Sequence, residues 1–296
     1  MTIVETELGK VAGEACGTHL AFRGLPFARP PVGPLRFRAP APAEPWTGVR
    51  DATRFAPASL QGMLFVPGER VSSGQSEDCL YLNVFTPAVD APQRPVMVFI
   101  HGGAFTLGSG SEPLYEGGKL AARHGVVVVT LNYRLGALGY LALGEHGERW
   151  GAIDNRGTLD QLAALAWVQR NIARFGGDPQ QVTVFGESAG ATSVCALMAL
   201  PEARGTFARA IVQSPPLALA LATRERAMTT TTRYLGALGL TPETSEQLLA
   251  LPVEALHQTQ LALERDRTRW LHFEPVASSV QPGEAIAAQR GSVVPL

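Results

Sequence analysis

Short blocks of apolar residues punctuate the first two thirds of the chain, and each predicts an element. Thr2 to Gly13 (TIVETELGKVAG) alternates apolar and polar positions, which predicts an N-terminal hairpin turning near Gly9-Lys10. Leu80 to Phe85 (LYLNVF) predicts a short strand ended by Thr86-Pro87. Pro95 to Ile100 (PVMVFI) and Gly125 to Leu131 (GVVVVTL) are continuous apolar runs, as in strands covered on both faces. Thr158 to Phe175 predicts a helix. Leu159, Leu162, Leu165, Val168, Ile172 and Phe175 recur at steps of three and four, Thr158 and Gln161 fit a capping box, and Gly176-Gly177 stops it. Gln181 to Ala199 reads as strand, sharp turn, helix, and Ala210 to Gln213 as one more strand.

Two stretches break this rhythm. Gly24 to Pro45 is so dense in proline that it predicts neither helix nor inner strand. It should run extended, with Phe27, Leu35 and Phe37 tucked in. From about Ala222 the pattern turns helical: Arg224 to Leu240, a helix opened by Thr241-Pro242, and another at Pro252. The β-branched run Thr229 to Thr232 weakens the first of these. Buried strands alternating with helices predict an α/β fold, a mostly parallel sheet with flanking helices. Residues 1–221 would form its core, with an N-terminal hairpin, and 222–296 a helical excursion acting as lid or pocket wall and ending in an incomplete strand.

Composition narrows the partners. The chain has 296 residues, 46% hydrophobic and 17% charged, enough for a large core, and a net charge of −1 offers no footprint for nucleic acid or another polyanion. No apolar run approaches the ~18 residues of a membrane span. The start, MTIVETELGK, lacks the layout of a signal peptide. Cys16, Cys79 and Cys195 are too few and too widely spaced for a disulfide framework or a zinc site, so a reducing cytoplasm is the expected home, with no metal or cofactor.

The chemistry lies in two glycine-rich turns. Gly186-Glu187-Ser188-Ala189-Gly190 is a G-x-S-x-G sequence between a predicted strand and a predicted helix, the context of a nucleophile elbow. A serine hydroxyl also needs a base and donors for the oxyanion. The Ala189 N–H supplies one donor in such an elbow, and His101-Gly102-Gly103-Ala104-Phe105, after an early strand, is placed to supply others. A phosphate-binding loop is excluded: Leu120 follows Gly118-Lys119, and Pro113 stands where such a loop needs glycine. Phe105 and Met63 to Pro67 could line an apolar pocket or simply be core.

These stretches resemble the type-B carboxylesterase and cholinesterase family of α/β-hydrolases. The likeness runs through GLPFARPPVGPLRFRAP, SEDCLYLNVFTP at Ser76 to Pro87, HGGAF at His101 and LNYRLGALGYL from Leu131. It continues in NRGTLDQLAALAWVQRNIARFGGDP from Asn155, VTVFGESAG and AIVQS, strongly to about Ser214 and loosely beyond. The resemblance implies hydrolysis of small-molecule carboxylic esters through an acyl-Ser188 intermediate. By it Gly103, Ala104 and Ala189 are the oxyanion donors, Ala104 replacing a glycine of many relatives, and Glu187 and Ser214 form a polar network behind the nucleophile.

Two departures stand out. Secreted relatives pair the cysteine of the SEDCLYLN segment with one upstream; Ser59 stands there here, which implies that Cys79 is a free buried thiol. The family's acid and histidine, which follow the serine in chain order, have no matching position. His19, His124 and His146 fall in regions that resemble surface turns, and His257 and His272 read as solvent-facing or packing residues. Asp266 and Glu274 have no motif that marks them as the acid. Since Gly291 to Leu296 falls where a strand should begin, the resemblance implies the nucleophile-bearing portion of a longer esterase, truncated before the last strands and partnered by a missing C-terminal segment. Rival readings are a non-catalytic binding protein on the same fold, which the intact GESAG disfavours, and an amidase or thioesterase, which the pairing of HGGAF with GESAG disfavours.

Overall fold

The computed structural model describes residues 1–62, 73–89, 93–146, 150, 154–217, 221–265 and 272–276. Met63 to Pro67, Asp266 and the segment from Gly291 to Leu296 lie outside them. The described strands form one mixed sheet. Strands β1 (Thr2–Glu5) and β2 (Lys10–Ala15) make the expected hairpin, with Glu5 opposite Lys10. The order then runs through β3 (Leu20–Pro26), β5 (Tyr81–Thr86), β7 (Val127–Leu131), β6 (Arg94–Ile100), β8 (Gly177–Glu187) and β9 (Arg209–Gln213). The short strand β4 (Val49–Asp51) pairs with β2 off this path. Pairing is antiparallel from β1 to β7 along this order and parallel from β7 to β9. The parallel half is where apolar strands are joined by helical crossovers, as the continuous apolar runs require.

The proline-rich stretch departs from expectation at its start. Gly24, Leu25 and Pro26 complete β3, an inner strand between β2 and β5. Two features make this possible. Register breaks between Phe22 and Leu25, where Gly24 sits at φ 69° and donates to Asn83 Oδ1 at 3.0 Å. Pro26 is the last residue of the strand. Beyond it the chain has only a bridge between Ala28 and Pro42 and a 3-10 turn at Gly33–Leu35. Phe27 and Phe37 are buried, while Leu35 is only half-buried.

The long helix also starts earlier than its pattern suggests. α1 (Gly118–His124) and α2 (Gly136–Tyr140) precede α3 (Arg156–Asn171), which passes into a 3-10 turn at Ile172–Phe175 and stops at Gly176, φ 81°. Thr158 and Gln161 are therefore not a capping box but buried positions in the first turns, with Gln161 Nε2 donating to Ser193 Oγ at 3.0 Å. Asn155 precedes the helix at φ 57°, its side chain exchanging two hydrogen bonds with the backbone of Val276 (2.8 and 2.7 Å). α4 (Ala189–Ala199) follows the G-x-S-x-G turn.

The expected helices beyond residue 222 are α5 (Arg224–Ala237), a 3-10 helix at Pro242–Leu249 with a Thr241/Thr244 capping box, and α6 (Val253–Glu264). In α5 the Thr229, Thr230 and Thr231 hydroxyls return to carbonyls four residues back. Their buried Tyr234, Leu235, Leu248 and Leu256 belong to the same core cluster as the sheet. Arg36 ties the two together: it pairs with Glu77 (2.6 and 2.7 Å) and donates to the carbonyls of Leu248, Leu249 and Leu251 (3.0, 3.3 and 2.7 Å). No described helix is long and apolar enough to cross a membrane.

Candidate active site

β8 ends at Glu187, at the C-terminal end of the parallel strands, and α4 begins after one intervening residue. The residue between them, Ser188, takes φ 54° and ψ −120°, a conformation that L-residues avoid. It is held from both sides. Its N–H donates to Gln213 O of β9 at 3.0 Å, and its carbonyl accepts the first helical bond, from Thr192 N at 3.0 Å. The flanking glycines are there for space. A Cβ on Gly190 would lie 2.1 Å from Ile100 O, and one on Gly186 would lie 2.6 Å from the Gly190 carbonyl carbon. Ser188 is half-buried, while Ala189 after it is fully buried.

The loop that follows β6 packs against this turn. A Cβ on Gly102 would come within 2.8 Å of Glu187 O and 3.2 Å of Ser188 Cβ. Gly103, Ala104 and Phe105 then take three successive positive φ values, 108°, 56° and 61°. Gly103 O closes the turn by accepting from both Thr106 N and Leu107 N (3.0 and 2.9 Å). Among the described residues no acceptor takes the N–H of Gly103 or Ala104. The Ala189 N–H, first of α4, has no acceptor within its helix. The Gly103 and Ala104 N–H groups and the first N–H of α4 are thus all unspent, in a loop and a helix start that meet at Ser188.

His101 begins the loop and is sealed beneath it. Its Nδ1 lies 2.8 Å from Gly102 O, so Nδ1 carries the proton, and Nε2 is buried without a partner. Burial pulls its pKa down to about 4, against the bond to Gly102, so the ring is neutral. Phe105 is wholly buried, its ring edge-on to Tyr140 at 5.1 Å, and its carbonyl accepts from Gly136 N at 2.8 Å. Of its two possible roles, core is the one the structure gives it. A hollow of about 370 Å³ opens beside the loop, lined by Gly62, Thr106, Leu107, Leu261, Glu264 and Arg265.

The other sequence candidates fall as follows. Glu187 and Ser214 are exposed, and no hydrogen bond joins them. None of the six histidines hydrogen-bonds Ser188 Oγ. His124 is exposed, and His19 sits in the turn between β2 and β3 as expected, with its ring half-buried, 3.4 Å from Glu116 Oε1 and packed on Gly118. His257 is half-buried against the Gln61 backbone, and His272 is buried. Glu274 is buried in an ion pair with Arg226, which removes it as an acid for Ser188. Cys79 is free and buried, and Ser59 accepts from Leu135 N at 3.1 Å. Sequence reasoning did not single out Gln61 or Tyr133, which brace the 101–108 backbone; neither stands in a motif whose chemistry would mark it.

A mixed sheet with flanking helices, a strained G-x-S-x-G turn between an inner parallel strand and a helix, and a glycine-rich loop beside it define an α/β-hydrolase. The chain belongs to the carboxylesterase family, whose model matches residues 1–295. It is 45% identical to a para-nitrobenzyl esterase of Bacillus subtilis (strain 168), over 99% of this chain and 61% of that protein. It is 50% identical to a fumonisin B1 esterase of Sphingopyxis macrogoltabida, over 74% of this chain and 40% of that protein. Among solved structures it superimposes on a Geobacillus stearothermophilus carboxylesterase with a TM-score of 0.88 and 46% identity, covering 96% of this chain and 58% of the other. The chain therefore spans about three-fifths of the length of the relatives it matches along nearly its whole extent.

Proposed function

We propose that Ser188 is the nucleophile of a serine carboxylesterase acting on small-molecule carboxylic esters. The observation that carries this is the pairing of a half-buried serine at φ 54° with the unaccepted N–H groups of Gly103, Ala104 and Ala189. Ser188 Oγ attacks the ester carbonyl carbon and its proton passes to a base. The carbonyl oxygen gains negative charge that the three N–H groups take up, each such donor being worth about 2.7–4 kcal/mol in comparable sites. The alkoxide leaves with the proton, and water then cleaves the acyl-serine bond to restore the hydroxyl. Glu187 and Ser214 are assigned to polar support around the nucleophile.

No histidine among the described residues hydrogen-bonds Ser188, and the proposal gives the base to a C-terminal segment equivalent to the part of its relatives that this chain does not match. The helical excursion that begins at residue 222 supplies pocket wall beside residues 1–221 through α6, which shares the 370 Å³ hollow with Thr106 and Leu107 of the loop. Free Cys79, with Ser59 opposite it in sequence, supports a cytoplasmic home.

A fluorophosphonate probe tests the assignment: Oγ–P forms, P–F breaks and fluoride leaves. The wild-type chain should label at Ser188 and Ser188→Ala should not, with labelling and p-nitrophenyl ester hydrolysis both rising when the complementary segment is added. A chain that labels under neither condition would point instead to a recognition protein on this fold.

A further inference from the structure

One side chain outside the elbow and its facing loop grips the loop's returning segment by both main-chain groups. Gln61 is 2% exposed. Its Oε1 accepts the Gly108 N–H at 2.8 Å, and its Nε2 donates to Gly108 O at 2.9 Å and to Ser59 O at 3.1 Å. An amide side chain thus offers Gly108 the paired bonds that a neighbouring strand would. Gly108 sits at φ 104°, and a Cβ there would lie 2.4 Å from His101 Nδ1, so the gripped residue closes the loop back on its own beginning. Gln61 is itself fixed: its N–H donates to Gln75 Oε1 at 3.0 Å, and the His257 ring lies against its backbone.

The loop needs such a grip. Ala104 and Phe105 hold left-handed conformations, φ 56° and 61°, that side-chain-bearing residues disfavour. Tyr133 and Gly136 hold the carbonyls of His101 and Phe105, and nothing in the 103–107 turn itself holds Gly108. We propose that Gln61 is a positioning residue for the oxyanion site: by fixing Gly108 it keeps the Gly103 and Ala104 N–H groups aimed beside Ser188. This rests on the esterase reading above. Donors to an oxyanion act only if held within a few tenths of an ångström, so loss of the grip lowers reactivity without touching Ser188.

Gln61→Ala and Gln61→Glu, in the full chain, test it by hydrogen exchange of the 101–108 amides and by the rate of Ser188 phosphonylation relative to wild type at each pH. His101 and His257 face this site, and Glu264 lines the neighbouring hollow; taking the ratio to wild type removes their titration and that of the base. Gln61→Ala should speed loop exchange about tenfold or more, as the loss of two hydrogen bonds implies, and slow labelling at every pH. In Gln61→Glu, a protonated carboxyl can donate to Gly108 O and accept from its N–H, while the carboxylate cannot donate. Its relative labelling rate should be low at pH 8 and climb back toward wild type as pH falls, a recovery that a purely stabilising role would not produce. Wild-type labelling with both variants equally fast, or loop exchange unchanged in Gln61→Ala, overturns the role of Gln61 alone. A wild-type chain that takes no probe, even with the complementary segment, overturns the esterase reading and this role with it.

Discussion

The Tyr133 hydroxyl donates to the His101 carbonyl at 2.9 Å, and the two rings stack with centroids 4.4 Å apart and planes 20° from parallel. Both side chains are buried, so one residue of the segment after β7 clamps the start of the 101–107 loop by a polar and an aromatic contact. Tyr133→Phe keeps the stack and removes the donor from a buried carbonyl. Urea unfolding should show a loss of about 1–3 kcal/mol.

The neutral His101 ring makes stability depend on acid. Its folded pKa, about 4, lies below the ordinary value of 6.5 because burial disfavours the imidazolium. As pH falls from 6.5 toward 4 the unfolded chain takes up a proton that the folded chain refuses, so stability is full above 6.5 and drains away below it. The interval corresponds to about 3 kcal/mol. In His101→Phe this component is missing, and the stability gap between wild type and variant should shrink by that amount over the same pH range.

Ser188 stores backbone strain that a glycine would not. At φ 54° and ψ −120° a side-chain-bearing residue costs about 1–3 kcal/mol, partly offset by the chain entropy glycine loses on folding. Ser188→Gly should therefore raise the unfolding free energy by about 1 kcal/mol while abolishing phosphonylation. A loss of stability would mean that the serine is not strained.

Beneath the site, Asp160 and Arg134 form a forked ion pair, with Nε at 2.8 Å from Oδ2 and Nη2 at 2.7 Å from Oδ1. Arg134 N also donates to Oδ2 at 3.0 Å, and Arg134 Nη1 to Arg38 O at 2.7 Å. The two side chains are 0% and 2% exposed, so neither charge has water to fall back on. Asp160→Asn should cost about 3–5 kcal/mol in chemical denaturation, since it leaves a buried guanidinium without its counter-charge.

Thiol chemistry separates the cysteines. Burial pushes the Cys79 thiol far up and shields it, whereas Cys16 is only half-buried and open to a reagent. An aromatic disulfide reagent at pH 8 should modify Cys16 quickly and leave Cys79 untouched until the chain unfolds. Fast modification of Cys79 in the native chain would contradict its burial.

Much of this molecule is legible in local sequence because its constraints are local. The runs at 95–100 and 125–131 could only be strands buried on both faces, and they became β6 and β7. The spacing of glycines around Ser188 foretold a turn with no room for Cβ atoms, which the 2.1 Å clearance at Gly190 explains. Where sequence reading failed, a distant partner had overridden a local preference. Pro26 ends an inner strand because a register break at Gly24, facing Asn83, prepares for it. Thr158 and Gln161 lie inside α3 because Asn155 is held outside it by Val276.

The sequence by itself determined the α/β class, the strand–turn–helix at Ser188 and the glycine-rich loop, since each follows from residue size and period along a few neighbouring positions. Only the tertiary structure decided that Phe105 is core, that His101 is sealed and neutral, and that Gln61 grips Gly108. Those roles depend on which groups meet across 30 to 50 positions of chain once water is excluded, and no local pattern encodes that meeting.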